Sequence, residues 1–294
     1  MFNSLQVTLL ISTGLPPPTQ ASTSSAASTD LTQARLKRQP DIQLPEGKNI
    51  IQDLEVVSPD MLLVSNHSKG CVQLLDCLKG EVVSEVQLEG GPWRMCLTDR
   101  NTAAVHVGDG EIQMIKVKNK KLTMGTVLTV NVTIRGLTSS RNSLVVSYNG
   151  PPWIEMISIH GDFLHVFDKS AKSQHFKYPY FMCTTQNGSV FVSDIDTDTI
   201  TKVDNQFNML QTFTSPLLDI PCGIIAVTED QILVCSNNNH SIVLLQPSSN
   251  TMSTLLGEDD GIEEPHNLTY CPDLKKVYVA STGFTGTIKV YQMS

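Results

Sequence analysis

The sequence predicts an all-β chain folded as a six-bladed β-propeller, closed by an N-terminal strand that pairs onto the last blade. Three observations carry this. A unit opened by Pro92, Pro179, Pro221 and Pro265, and by Ile51 and Ile134 in the two copies without proline, recurs at spacings of 41, 42, 45, 42 and 44 residues. Eleven or twelve residues after each anchor stands an apolar run: Leu62–Val64, Ala103–Val105, Val145–Val146, Val190–Val192, Ile232–Val234 and Val277–Val279. The last unit stops before its outer strand, and Asp41–Pro45, near the other end of the chain, resembles the outer strands that precede the other anchors.

Each unit reads as strands in order. The anchor opens a first strand and the apolar run is the second. A polar loop follows, then a third strand at Val72–Asp76, Ile112–Val117, Ile154–Ile159, Thr199–Asp204, Ile242–Gln246 and Thr287–Tyr291. A fourth, such as Val82–Leu88 or Met209–Phe213, completes the blade. These runs are rich in Val, Ile, Tyr and Phe and are bounded by Gly, Asn, Asp and Ser, which is strand and turn chemistry. Repeats of about 40–50 residues with four strands suit a propeller. A solenoid is the rival, with shorter repeats and atypical end caps. Closure decides between them, because pairing the two chain ends removes an open strand edge.

Composition narrows the function classes. The 294 residues carry a formal charge of −8, and residues 1–40 hold three basic residues and one acidic one, so the remainder carries −10. That balance disfavours DNA, whose affinity comes from Lys and Arg on phosphates. Residues 1–34 are rich in Ser, Thr, Ala and Pro and are expected to be disordered, leaving 35–294 as the propeller. The Leu5–Ile11 run is short for a leader and has no basic residue before it, and no stretch approaches a membrane span. A cytoplasmic protein with no membrane contact is therefore expected. The seven cysteines include no CxxC pair and are read as reduced core residues. Five Asn-x-Ser/Thr sequons, at Asn66, Asn131, Asn187, Asn239 and Asn267, matter only in a secreted chain.

Motifs of chemistry are sparse. Asp194-Ile-Asp196-Thr-Asp198 begins like a calcium loop but lacks the glycine and closing glutamate, so a solvated loop is expected. Glu258–Asp260 with Glu263 and Glu264 reads as a surface charge cluster, and Lys116, Lys118, Lys120 and Lys121 as guards of a hairpin edge. No Walker loop, GxSxG, GxGxxG or HExxH occurs. The first strands are expected to line the channel with Met95, Leu97, Thr138, Met182, Thr184, Ile225, Val227, Leu268 and Tyr270, among which nothing titratable converges. On that reading the protein is not an enzyme and needs no cofactor or metal.

The loops joining second to third strands share one face with the connections between blades. There the scarce aromatics gather, with two arginines. The candidate partner-binding residues are Trp93, Arg94, Arg135, Tyr148, Trp153, Tyr178, Tyr180, Phe181, Asn238, His240 and Phe284, since aromatic and arginine side chains anchor recognition surfaces. The opposing reading packs Trp93 and Trp153 between blades.

The unit resembles an NHL repeat, the NHL/TolB-like kind of propeller. Pro221-Cys-Gly223-Ile224, followed by Ile232–Ser236 and Asn239-His240-Ser-Ile242, carries the resemblance, and Asn187-Gly188 with Val190–Asp194 and Lys202-Val203-Asp204 repeats it in the neighbouring blade. From about residue 41 onward the chain is similar to the C-terminal propeller of tripartite-motif (TRIM) proteins. The RING, B-box and coiled-coil parts of that family have no counterpart in this sequence. The resemblance implies target recognition within the ubiquitin pathway, with a protein or peptide as partner. Some family propellers bind RNA, which makes single-stranded RNA the alternative ligand. A secreted propeller lyase or lactonase needing a channel metal is the third reading.

Overall fold

The computed structural model describes residues 30–108, 110–130, 133–167, 175–283 and 285–293. Of the segment expected to be disordered, residues 1–29 lie outside the described residues. Residues 31–294 form one compact unit.

The strands form six four-stranded antiparallel sheets. Blade 1 contains β2 (Ile51–Ser58), β3 (Met61–Asn66), β4 (Cys71–Asp76) and β5 (Glu81–Gln87). Blade 2 contains β6 (Pro92–Asp99), β7 (Thr102–Val107), β8 (Glu111–Lys118) and β9 (Lys121–Thr129). Blade 3 contains β10 (Ile134–Ser140), β11 (Ser143–Asn149), β12 (Pro152–Ser158) and β13 (Phe163–Phe167). Blade 4 contains β14 (Pro179–Thr184), β15 (Val190–Asp194), β16 (Thr199–Val203) and β17 (Met209–Thr214). Blade 5 contains β18 (Pro221–Thr228), β19 (Gln231–Ser236), β20 (Ser241–Gln246) and β21 (Thr251–Leu256). Blade 6 contains β22 (Pro265–Cys271), β23 (Lys276–Ser281) and β24 (Thr287–Met293), and its outer strand is β1 (Leu36–Gln43). The first strands touch in the cycle β2, β6, β10, β14, β18, β22 and back to β2, which closes the ring around a channel.

The closing strand is longer than the sequence suggests. It starts at Leu36, opposite Met293, whereas the sequence places it only from Asp41. Pro40 cannot donate to a ladder, and the register shifts between Gln39 and Ile42, where the strand bulges around it. Ile42 and Leu44 are buried with Ile288 and Val290, so the closure also seals a core.

Burial follows position in the blade. The strand β3 is buried along its length because neighbouring blades cover both faces, which is why its sequence runs apolar instead of alternating. The outer strand β5 alternates between exposed and half-buried residues, as a strand covered on one face does. Neighbouring blades are also tied by serines on the second strands. Ser65 donates to the carbonyl of Trp93 (3.1 Å), Ser147 to that of Pro179 (2.8 Å) and Ser193 to that of Cys222 (3.1 Å). Lys120, expected to guard an edge, reaches back to blade 1 and pairs with Asp60 (3.1 Å) and Asp76 (3.2 Å).

One irregularity recurs six times. In every blade the register between first and second strands shifts immediately after the anchor residue. A bulge re-aims the side chains around it. Here it acts on the two residues following each anchor, at the mouth of the channel.

Candidate active site at the channel mouth

The first residue after the anchor is Gln52, Trp93, Arg135, Tyr180, Cys222 and His266 in blades 1 to 6, and the second is Asp53, Arg94, Gly136, Phe181, Gly223 and Asn267. The two glycines are required by space. A Cβ on Gly223 would lie 2.7 Å from the Asn267 Cα, and one on Gly136 would lie 2.8 Å from the Tyr180 carbonyl oxygen. The other four second residues turn functional side chains inward.

Asp53 is buried, and its carboxylate accepts hydrogen bonds from the amides of Met95 (2.8 Å) and Leu54 (2.9 Å) and from the Asn267 side chain (2.8 Å). Burial pushes its carboxyl up to about 6, and the Arg94 charge and these donors oppose the shift, so it is ionised at neutral pH. Arg94 is 1% exposed. Its Nη1 donates to the Gln52 carbonyl (2.7 Å), whereas Nε and Nη2 are buried with no hydrogen-bond partner. The guanidinium carbon lies 3.5 Å from the Phe181 ring centroid and 4.4 Å from that of Tyr180. Half-buried His266 meets the same Phe181 ring at 5.3 Å between centroids, and its Nε2 pairs with the Gln52 Oε1 at 3.2 Å. With that oxygen accepting, Nε2 carries the hydrogen and Nδ1 is left with the lone pair. Burial, and then the Arg94 charge, lower the His266 imidazole to about 3.

The channel holds a cavity of about 180 Å³ whose lining includes Asp53, Glu55, Arg94, Thr138, Thr184 and Asn267. Burial, and then the Asp53 charge, hold the Glu55 carboxyl well above the usual carboxylate range. The expectation that nothing titratable converges in the channel is therefore corrected. The first strand of blade 1, which that expectation leaves out, supplies Asp53 and Glu55. The expectation also leaves out His266, which sits beside the anchor proline of blade 6. Of the residues expected to line the channel, Met95, Leu97, Thr138, Met182, Thr184, Ile225 and Leu268 do so.

The structure brings six of the expected face residues together. Trp93, Arg135, Tyr178 and Tyr180 wall a second pocket with His106 and Ile134, and Arg94 and Phe181 adjoin it through Tyr180. Tyr148 and Trp153 are buried instead, with ring centroids 4.6 Å apart and the Tyr148 hydroxyl donating to Glu155. Asn238 donates to Asp219 (3.0 Å), and the His240 Nδ1 accepts the amide of Glu264 (3.0 Å); both fasten loops. Phe284 lies outside the described residues. Asp194 is buried and accepts the amides of Lys177 (2.6 Å), Tyr178 (3.0 Å) and Asp196 (3.1 Å), so it braces the chain that carries Tyr178. Asn66 and Asn267, two of the sequon asparagines, are buried. Among the described residues no group of three or more His, Cys, Asp or Glu is placed to hold a metal ion, and no helix is long and apolar enough to cross a membrane.

These features define a six-bladed β-propeller with a cationic, aromatic-walled channel mouth. Among solved structures, the chain is similar to a catalytically inactive histidine-to-alanine variant of virginiamycin B lyase from Staphylococcus aureus with quinupristin (TM-score 0.65, 11% identity, covering 88% of this chain and 99% of that one). It is also similar to a streptogramin B lyase (TM-score 0.64, 12% identity, 90% and 100%) and to a functionally unknown protein from Desulfotomaculum acetoxidans (TM-score 0.57, 13% identity, 79% and 75%). No family model and no curated protein sequence matches the chain. The expected non-catalytic recognition module, and with it the expectation of no enzymatic activity, is corrected by these neighbours, two of which are named lyases, and by the titratable groups at the channel mouth.

Proposed function

We propose that the chain is a lyase-class propeller enzyme whose reacting centre is the channel mouth, with Arg94 as the charge-stabilising group and His266 as the proton carrier. The observation that supports this most is the buried Arg94 guanidinium with two unpartnered nitrogens. Removing a cation from water costs several kcal/mol; the Asp53 charge offsets part of that cost, and Nε and Nη2 have no acceptor of their own. Eliminative cleavage develops an anion. A base takes the proton from the carbon beside a carbonyl, and Arg94 Nε and Nη2 receive the enolate charge. The electron pair then forms the carbon–carbon double bond and expels the leaving oxygen, which takes the proton back from the His266 imidazolium. An imidazole lowered to about 3 is a weak base in the empty site. Negative charge arriving on Arg94 cancels the cation's push and raises its basicity as the substrate docks.

The repeat is assigned to the NHL type on Asn239-His240 and the glycine after Pro221. A cytoplasmic setting is part of the same proposal, supported by seven free cysteines of which six are buried.

The test is incubation of the purified protein with quinupristin and a panel of cyclic and linear peptide esters, followed by mass spectrometry. Ring opening of a cyclic ester without uptake of water, lost in His266→Ala and Arg94→Met, is the expected result. Water uptake, or no consumption of any ester by the folded protein, would overturn the proposal.

A further inference from the structure

Beside the channel mouth lies a pocket of about 180 Å³ walled by Trp93, His106, Ile134, Arg135, Tyr178 and Tyr180. Four of its six lining residues carry rings, with one guanidinium and no carboxylate. The Arg135 guanidinium carbon stands 5.7 Å from the centroid of Tyr178, and its Nε is buried without a hydrogen-bond partner. A desolvated donor left unpaired costs about 1–3 kcal/mol, so a pocket built around one is short of an acceptor. The rings of Tyr178 and Tyr180 meet edge to face, 5.6 Å apart, and Tyr180 carries the Arg94 guanidinium 4.4 Å from its centroid. Two cations are thus arranged over two adjacent tyrosines, one at the channel and one in the side pocket.

We infer that this pocket binds an aromatic monocarboxylate, with the carboxylate on Arg135 and the ring against Trp93 and Tyr178. The volume admits one ring and its substituents, and the walls offer it stacking faces. A single guanidinium matches a single negative charge and pairs with a planar carboxylate. A phosphate dianion would call for a second cation or a nest of amides, and no lysine lines the pocket. The inference rests on the proposed function only for the idea that this group belongs to the substrate. The binding itself does not depend on turnover.

Benzoate is the probe. Trp93 lines the pocket while Trp153 is buried against Tyr148, so a change in tryptophan fluorescence on titration reports the pocket over a constant background. Saturable binding of benzoate is expected, with benzyl alcohol and inorganic phosphate failing to compete. Arg135→Gln should weaken it by about tenfold or more, and Arg94→Gln by less than about threefold. Tyr178→Leu, followed through the NMR signals of benzoate itself, carries the test if Arg135→Gln does not fold, and should also weaken binding. No saturable binding, equal binding by Arg135→Gln, or equal competition by benzyl alcohol or phosphate would overturn the inference. Benzoate binding without turnover of any ester would leave it standing and remove the proposed function, and turnover without benzoate binding would do the reverse.

Discussion

Arg94 of blade 2 holds its guanidinium carbon 3.5 Å from the centroid of Phe181, a ring contributed by blade 4. The contact bridges two blades that do not share an edge, so the two side chains span the mouth of the channel. A cation over a ring returns about 0.5–2 kcal/mol, less than the desolvation of a guanidinium left short of partners. Part of the remainder is offset by the Asp53 carboxylate, which the Arg94 charge helps to keep ionised.

Arg94→Met should therefore act on stability through Asp53. Methionine keeps the apolar contact with Phe181, but it removes the hydrogen bond to the Gln52 carbonyl and the charge that opposes the burial shift of the Asp53 carboxyl. A lower unfolding free energy at neutral pH, by up to about 3–5 kcal/mol, is expected, with the Asp53 carboxyl titrating higher. The His266 ring should titrate above its present value of about 3, because one of the two forces depressing it has gone. NMR of the imidazole protons against pH checks this, and an unchanged midpoint would place Arg94 too far away to act on His266.

Asp53 gives a pH signature of definite sign. Its folded-state value near 6 lies above the ordinary 3.8, so between those values the folded protein binds a proton that the unfolded chain has released. Its contribution to stability is thus full below about 3.8 and declines as pH rises through about 6, by an amount on the order of 3 kcal/mol. In Asp53→Asn that segment of the slope should vanish, and the Glu55 carboxyl should titrate lower, having lost a charged neighbour. Urea unfolding of both proteins across this pH range measures the difference.

How much of this was legible in the sequence varies with the kind of constraint. The blades were, because each second strand must be apolar on both faces and such runs stand out at a fixed distance from the anchor. The closing strand was placed but cut short at Asp41, since the pairing of Leu36–Gln39 is between backbones and leaves little mark in polar residues. The arginine and tyrosine cluster was visible because aromatics are rare in this chain. Asp53 and His266 were not found, although they fall two and one residues after the anchors Ile51 and Pro265. Reading the six units as columns aligns Asp53, Arg94, Phe181 and Asn267 in a single position. The convergence comes from ring closure, which sets residue 53 against residue 267, and no pattern along one strand contains it.

Closure should be measurable through Ile42. Its side chain is packed with Ile288 and Val290, and the backbone around it completes blade 6. Ile42→Asp buries an unpaired charge at the seam and should cost about 3–5 kcal/mol. It should also free the edge of β24, an open template for association. Lower thermal stability together with concentration-dependent aggregation in light scattering is expected. Ile42→Val, which keeps the shape, should cost about 1 kcal/mol and remain monodisperse.

Gly223 offers the sharpest test that the channel mouth depends on backbone spacing. In blade 5 it occupies the column that carries Asp53, Arg94, Phe181 and Asn267 elsewhere, and its backbone φ is not left-handed, so no conformational demand calls for glycine. What calls for it is distance: an added Cβ would stand 2.7 Å from the Asn267 Cα and 2.9 Å from the His266 carbonyl oxygen. Both are backbone atoms, so neither can rotate away, and Gly223→Ala must push β22 outward. That strand holds His266 against Phe181 and Asn267 against Asp53, so the displacement lengthens both contacts. Overpacking of this kind costs about 1–3 kcal/mol, small enough for the ring to stay folded. The expected outcome is a folded protein whose His266 resonances shift and whose ester cleavage falls, while benzoate binding in the Arg135 pocket of blades 2 to 4 stays as it was. Loss of both functions together would mean that the displacement passes through Tyr180, whose ring walls the pocket and lies 6.3 Å from that of His266.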